Sequence, residues 1–292
     1  MISLDLQQWV NRTEVQFDEA TLAPAAMLAA TLGRQDKFET GSVLPPLWHW
    51  LYFLPKAPHN EIGRDGHPRR GGFLPPVTLP RRMWAGSRLQ WNGELRIGDT
   101  LRRTSTIESV ETKSGRTGEL VFVRVRHEVA RIGGAVDLTE WQDIVYREAS
   151  TSSNLAERPR GTATVPAAAP REWQQTWEPD PVLLFRFSAL TFNSHRIHYD
   201  RSYATQEEGY PGLVVHGPLL AMLMMQLATE KSPGHSVSSF HFRGLSPVVD
   251  SSGSFDVCGA PGGDGTKAEM FVQAAGIRST EGQVSFHHPA QR

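Results

Sequence analysis

Cysteine is almost absent from this sequence. Its 292 residues hold one, Cys258, so no intrachain disulfide can form and a thiolate cage for zinc is excluded. A lone cysteine with no nucleophile signature around it reads as a small buried apolar residue. Net charge is nearly absent as well: 30 Lys and Arg stand against 31 Asp and Glu. That balance encodes no broad attraction to nucleic acid or to an anionic membrane. Long apolar runs are missing too, since the longest, around "GPLLAMLMMQLA", is too short to cross a bilayer. The opening "MISLDLQQWVNRTE" has no basic start, apolar core or cleavage pattern, so no secretory signal is expected there. A soluble, cytoplasmic protein is the expectation. Nucleotide signatures are lacking, with no GxGxxG after a strand and no GxxxxGK[ST]. The glycine-dense "GAPGGDGT" falls between strand-like runs and reads as a turn.

Composition shifts once along the chain. "EASTSSNLAERPRGTATVPAAAPR" is rich in Ser, Thr, Ala and Pro, has no apolar period, and reads as a linker. It divides the chain into an N-terminal domain over 1–148, a linker over 149–171 and a C-terminal domain over 172–292. In the second domain "PVLLFRFSAL" (Pro181–Leu190) is apolar and β-prone, so a strand is expected. "YATQEEG" suggests a short helix, and "PLLAMLMMQLATE" a helix that is apolar nearly all round and must be wrapped on most faces. Strand-like runs come after it at Ser236–Leu245, Gly253–Ala260, Lys267–Gly276 and Gly282–His288. The first domain offers a helix over Asp18–Gly33, capped by Asp18 and ended by Gly33, and a strand over Leu47–Leu54. Four more strand-like segments, "SRLQWNGEL", "TLRRTSTIESVETK", "ELVFVRVRHEVAR" and "DLTEWQDIVYRE", complete it, with "SGRTGE" as a hairpin turn. Each half therefore predicts an α+β unit in which a twisted antiparallel sheet wraps one apolar helix.

The stretch "TFNSHRIHYD" concentrates polar chemistry, with Asn193, His195, Arg196 and His198 within a few residues. From there through "HGPLLAMLMMQL", the chain resembles the overhanging loop and central helix of MaoC-like hot-dog hydratases and hydroxyacyl-thioester dehydratases of type 2. "GHPRRGGFLPPVTLPRRMWAGSRLQW" and "IGDTLRRTSTIESVETKSGRTGELVFVRVRHEV" resemble the subgroup that hydrates the C5 dicarboxyl esters mesaconyl-C4-CoA and itaconyl-CoA to citramalyl-CoA. The resemblance implies a double hot-dog fold, a degenerate N-terminal unit, a hydro-lyase activity without a cofactor, and an acyl-CoA thioester substrate. The family's loop runs Asp-x-Asn-x-x-His. Matching its histidine to His198 puts Asn193 at the carboxylate position and His195 at the amide position.

Hydration of a double bond conjugated to a thioester needs a base for water, a donor for the carbonyl oxygen and a proton for the α-carbon. His198 suits the first and third tasks, because imidazole titrates near neutrality. An amide can hold a water but cannot take its proton. Either His198 works alone with Asn193 orienting the water, or a group such as His195 assists. For the oxyanion, the backbone N–H of Gly217 at the start of the apolar helix is the candidate, since Pro218 has none. His216 precedes it and reads as structural or substrate-facing. A dicarboxyl substrate needs a fixed cation, for which Arg69, Arg70, Arg81, Arg82, Arg196 and Arg243 are candidates. No metal is expected: His195 and His198 share a face only if helical, and no HExxH occurs. The alternatives are a 3-hydroxyacyl-thioester dehydratase of fatty acyl chains, and a non-catalytic acyl-thioester binder favoured by Asn193. Sheet edges make a homodimer plausible, with no partner nucleic acid or membrane expected.

Overall fold

The computed structural model describes residues 5–115, 118–148, 171–263 and 265–287. The first half contributes β1 (Thr13–Glu19), α1 (Leu22–Thr31), β2 (Arg81–Trp91), β3 (Thr100–Gly115), β4 (Gly118–Arg131) and β5 (Val136–Arg147). The second contributes β6 (Trp173–Trp177), α2 (Pro181–Leu190), α3 (Gly217–Lys231), β7 (Val237–Gly244), β8 (Phe255–Pro261), β9 (Lys267–Ala274) and β10 (Ile277–Phe286). All strands join one antiparallel sheet in the order β1-β3-β4-β5-β2-β7-β10-β9-β8-β6. The halves meet where β2 pairs with β7, from Gly86 opposite Arg243 to Gln90 opposite Ser239. Gly86 is required at this seam, because a β-carbon there would run into the Phe242 carbonyl oxygen.

Helix α3 is the core of the second half. Its residues from Leu219 to Ala228 are all buried, and β6 to β10 wrap it. Burial of each large side chain contributes roughly 1.5–3 kcal/mol, which explains a helix with no polar face. Met222, Met224 and Met225 are core filler, and Cys258 is a buried free thiol. The first half packs its sheet on Leu47, Trp48 and Leu51 together with α1, and both halves share one continuous core.

Three local expectations are corrected. Pro181–Leu190 is a helix, not a strand: Asp180 caps it by accepting from the Val182 and Leu183 N–H groups, and Pro181 sits in its first turn. A short apolar run does not by itself distinguish helix from strand. Leu47–Leu54 is not a strand either, since Leu47 and Phe53 have positive φ and Trp48–Leu51 form a 3-10 turn. Asp18 does not cap α1. It lies in β1 and accepts from the Phe53 N–H, while Thr21 is the N-cap; Gly33, at φ +67°, comes just after the helix end as expected. The linker up to residue 170, and Arg116 and Thr117 at the tip of the "SGRTGE" turn, lie outside the described residues, and Gly115 pairs with Gly118 on either side of that tip.

Candidate active site

The loop after α2 is shaped by its own backbone. The helix ends through Phe192 in the left-handed region (φ +48°), and the Asn193 N–H returns to the Ser188 carbonyl at 2.8 Å. The Asn193 side-chain oxygen then accepts the His195 N–H at 3.0 Å, which turns the chain toward His198. Asn193 therefore holds the loop. Asp200 closes it by accepting from the Tyr203 N–H, and the Tyr199 hydroxyl donates to the Ser194 carbonyl.

His198 is 7% exposed, and its Nδ1 lies 2.7 Å from the Val214 carbonyl oxygen. A carbonyl only accepts, so the ring carries its proton on Nδ1 and presents Nε2 as a lone-pair base. Burial, and then the charge of His67, outweigh the bond to Val214 and push its pKa down to about 4. The neutral ring stacks on His216, with centroids 3.7 Å apart. His216 is fully buried, bonds Ser188 Oγ through Nε2 at 2.8 Å, and immediately precedes Gly217. The His198 ring and the start of α3 are thus brought together. Gly217 is the first residue of α3, and a β-carbon there would meet nothing within 4 Å. Among the described residues nothing accepts its N–H.

His195 meets the edge of His198 at 5.5 Å between centroids, and its pKa is driven down to about 2, first by burial and then by the charges of His67 and His198. On its far side lies His67, at 4.1 Å. His67 and its neighbour Asp65 come from the first half and are not among the residues that the sequence singles out, although His67 stands inside the "GHPRR" motif that carries the family resemblance. Asp65 accepts from the His67 N–H at 3.0 Å and bonds the His67 ring Nδ1 at 3.1 Å. Burial raises its carboxyl, but those bonds and the neighbouring imidazoles hold it below the usual carboxylate range. A carboxylate oxygen of Asp65 and ring nitrogens of His67 and His195 lie within 4.8 Å of one another, a spacing that a metal ion could also use.

The candidate arginines separate by their partners. Arg70 is spent on the carbonyls of Val77, Leu79 and Pro80. Arg81 pairs with Glu208, Arg196 with Asp200, and Arg243 with Glu281. Arg69 is exposed. Arg82 has no carboxylate partner among the described residues. It faces the Tyr146 phenol, and its charge reaches both His67 and His195. Arg69, Arg70, Arg81 and Arg82 line a cavity of about 420 Å³ that reaches Asp65 and His67 but stops short of His198 and Gly217.

Comparison with known proteins bears on the family and the fold. Over 272 residues, covering 90% of this chain and 92% of the relative, the sequence is 47% identical to a mesaconyl-C(4)-CoA hydratase of Chloroflexus aurantiacus. HtdX of Mycobacterium tuberculosis superposes with a TM-score of 0.66 at 16% identity, covering 94% of this chain and all of that one. A second protein of that organism, described as a double hot-dog fold, gives 0.58 at 13% identity, with 95% and 96% of the two chains covered. No described helix is long and apolar enough to cross a membrane. The family model for hydroxyacyl-thioester dehydratase type 2 matches residues 47–250, a span holding the Asp65 loop, the four clustered histidines and all of α3, and the chain belongs to that family.

Proposed function

We propose that this chain adds water across the double bond of a C5 dicarboxyl-CoA thioester, mesaconyl-C4-CoA foremost, with itaconyl-CoA as a related substrate and citramalyl-CoA as product. The observation that carries the reading is the His198–Val214 hydrogen bond, which leaves a neutral, buried Nε2 beside the N-terminus of an apolar helix. With mesaconyl-C4-CoA, Nε2 takes a proton from water as the water oxygen bonds the β-carbon. The double-bond electrons move into the thioester, and the charge gathering on its oxygen is met by the Gly217 N–H, a type of donor worth about 3–4 kcal/mol. The imidazolium then returns its proton to the α-carbon, which restores the double bond of the carbonyl and the neutral base.

The substrate class is supported by Arg82 and by the name of the 47% identical relative. In a mesaconyl C4 thioester the free carboxylate is borne by the carbon that receives the hydroxyl. Its cation would therefore lie on the histidine side of the site, and Arg82, which lines one cavity with His67, is the candidate. A second reading, dehydration of 3-hydroxyacyl thioesters of fatty acyl chains, is favoured by the family's own description.

Loss of the enoyl-thioester absorbance band with mesaconyl-C4-CoA and crotonyl-CoA, and formation of citramalyl-CoA from itaconyl-CoA, whose double bond is not conjugated to its thioester, test both. Preferred turnover of mesaconyl-C4-CoA, abolished in His198→Ala, is expected. Preference for crotonyl-CoA supports the second reading, and full activity in His198→Ala rejects the base. A homodimer belongs to the same proposal, since the sheet ends in the edge strands β1 and β6; light scattering measures it.

A further inference from the structure

The loop between α2 and α3 lacks an acid where the family resemblance expects one. An imidazole that accepts a proton in a dry site becomes a cation, and a cation there is costly unless a negative charge faces it. Asn193 supplies none, and its oxygen is already taken by the His195 N–H. Asp200, the acid closest in sequence, is bound to Arg196.

The first half brings one instead. Residues 63–67 dock directly on the catalytic loop: the Arg196 N–H donates to the Asp65 carbonyl at 2.9 Å, and the Ser194 hydroxyl donates to the Gly66 carbonyl. The approach is so close that a β-carbon on Gly66, which sits at φ +91°, would fall inside the Ser194 carbonyl. This docking sets Asp65 and His67 at the end of a continuous row of imidazoles. His67 faces His195 at 4.1 Å, His195 meets His198 at 5.5 Å, and His198 stacks on His216 at 3.7 Å. The charged and titratable groups bearing on this row are Asp65, Arg70 and Arg82 from the first half and the three other histidines from the second.

We infer that Asp65 supplies the negative charge that Asn193 cannot, acting through His67 and His195 on the His198 base. Asp65 is thus a positioning residue, because both its oxygens are engaged by His67. It orients the His67 ring and offsets the positive charge that arises on His198 while the water proton is held there. The inference rests on the hydratase reading only in taking His198 as the base.

Two measurements test it. The first needs no substrate: NMR titration of the histidine rings in the wild type and in Asp65→Asn, a substitution that keeps the side-chain oxygen for the loop. Loss of a nearby anion disfavours the imidazolium, so His198 in the variant should titrate at lower pH. The second is kinetic, using whichever of the three thioesters the wild type turns over fastest. Asp65→Asn should lower kcat at least tenfold with KM little changed, and should move the acid limb of the kcat/KM profile to lower pH. The double variant Asp65→Asn with Asn193→Asp, which returns a carboxylate to the loop, should recover part of kcat.

An unchanged titration of His198 in Asp65→Asn overturns the inference even if no tested thioester is turned over. A fall in kcat with no shift of the acid limb and no rescue by Asn193→Asp assigns Asp65 a purely structural role. Activity abolished by EDTA and restored by zinc overturns it as well, by making Asp65, His67 and His195 ligands.

Discussion

The imidazole of His198 lies face to face with that of His216, with planes 17° from parallel. Burial disfavours a proton on both rings, and the charge of His198 disfavours it further on His216, so both rest neutral at physiological pH. The His198 ring, the proposed base, can accept a proton without first having to lose one. The resting arrangement is also acid-sensitive.

Stability should therefore fall on mild acidification. His198 and the buried His127 have folded pKa values of about 4, below the ordinary value of about 6.5. Between those limits the unfolded chain binds more protons, so their contribution is complete above about pH 6.5 and lost as pH falls toward 4. Glu140 extends the loss. Burial alone would raise its carboxyl, but His49, His127 and Trp50 bring it down to about 2, so its contribution fades as pH falls from the ordinary carboxylate range toward that value. Melting temperature scanned from pH 8 to pH 4 should be flat above about 6.5 and drop steadily below. A curve level to pH 5 would contradict the burial of these groups.

Gly217→Ala should separate folding from function. The added methyl meets nothing within 4 Å, and alanine is the better helix former, so the melting temperature should hold or rise slightly. The same methyl occupies the approach of a thioester oxygen to the N–H. We expect kcat/KM to fall by about tenfold or more, equivalent to ~1.4 kcal/mol in the transition state. Unchanged kinetics would remove Gly217 from the oxyanion site.

Arg82→Gln should act on one substrate class. KM for mesaconyl-C4-CoA is expected to rise by roughly tenfold or more, in line with loss of a charge-assisted bond of about 1.5–3 kcal/mol. Turnover of crotonyl-CoA, which has no second carboxylate, should change little. Parallel losses with both thioesters would show that Arg82 does not read the carboxylate.

Gly66→Ala should undock the first-half loop. Its positive φ and its contact with Ser194 both oppose a side chain. Destabilisation of about 1–3 kcal/mol is expected by denaturant titration, accompanied by a loss of activity out of proportion to the fraction unfolded. A variant as stable and as active as the wild type would mean that the docking is dispensable.

Much of this site is legible in the chain because its parts are local. His198, Asn193 and Gly217 fall within one short stretch, and the unbroken apolar character of α3 announces a helix wrapped on all sides. Asp65 and His67 escape notice because their role depends on a contact with Ser194 across 128 positions, which no periodicity records. Pro181–Leu190 reads falsely as a strand because its buried and exposed positions are both apolar, with Leu184 and Phe187 inside and Val182 and Phe185 outside; the Asp-Pro pair before it is the better signal. The edge strand β1 is hidden for a similar reason, since its apolar residues Val15 and Phe17 face outward. Among the arginines, only the folded chain reveals which guanidinium groups are already committed.

The seam between β2 and β7 has a consequence for how such a protein can be divided. Severing the chain at its midpoint would leave Asp65 on one fragment and His198 on the other, and only fragments able to rebuild the shared ladder would bring the two together again.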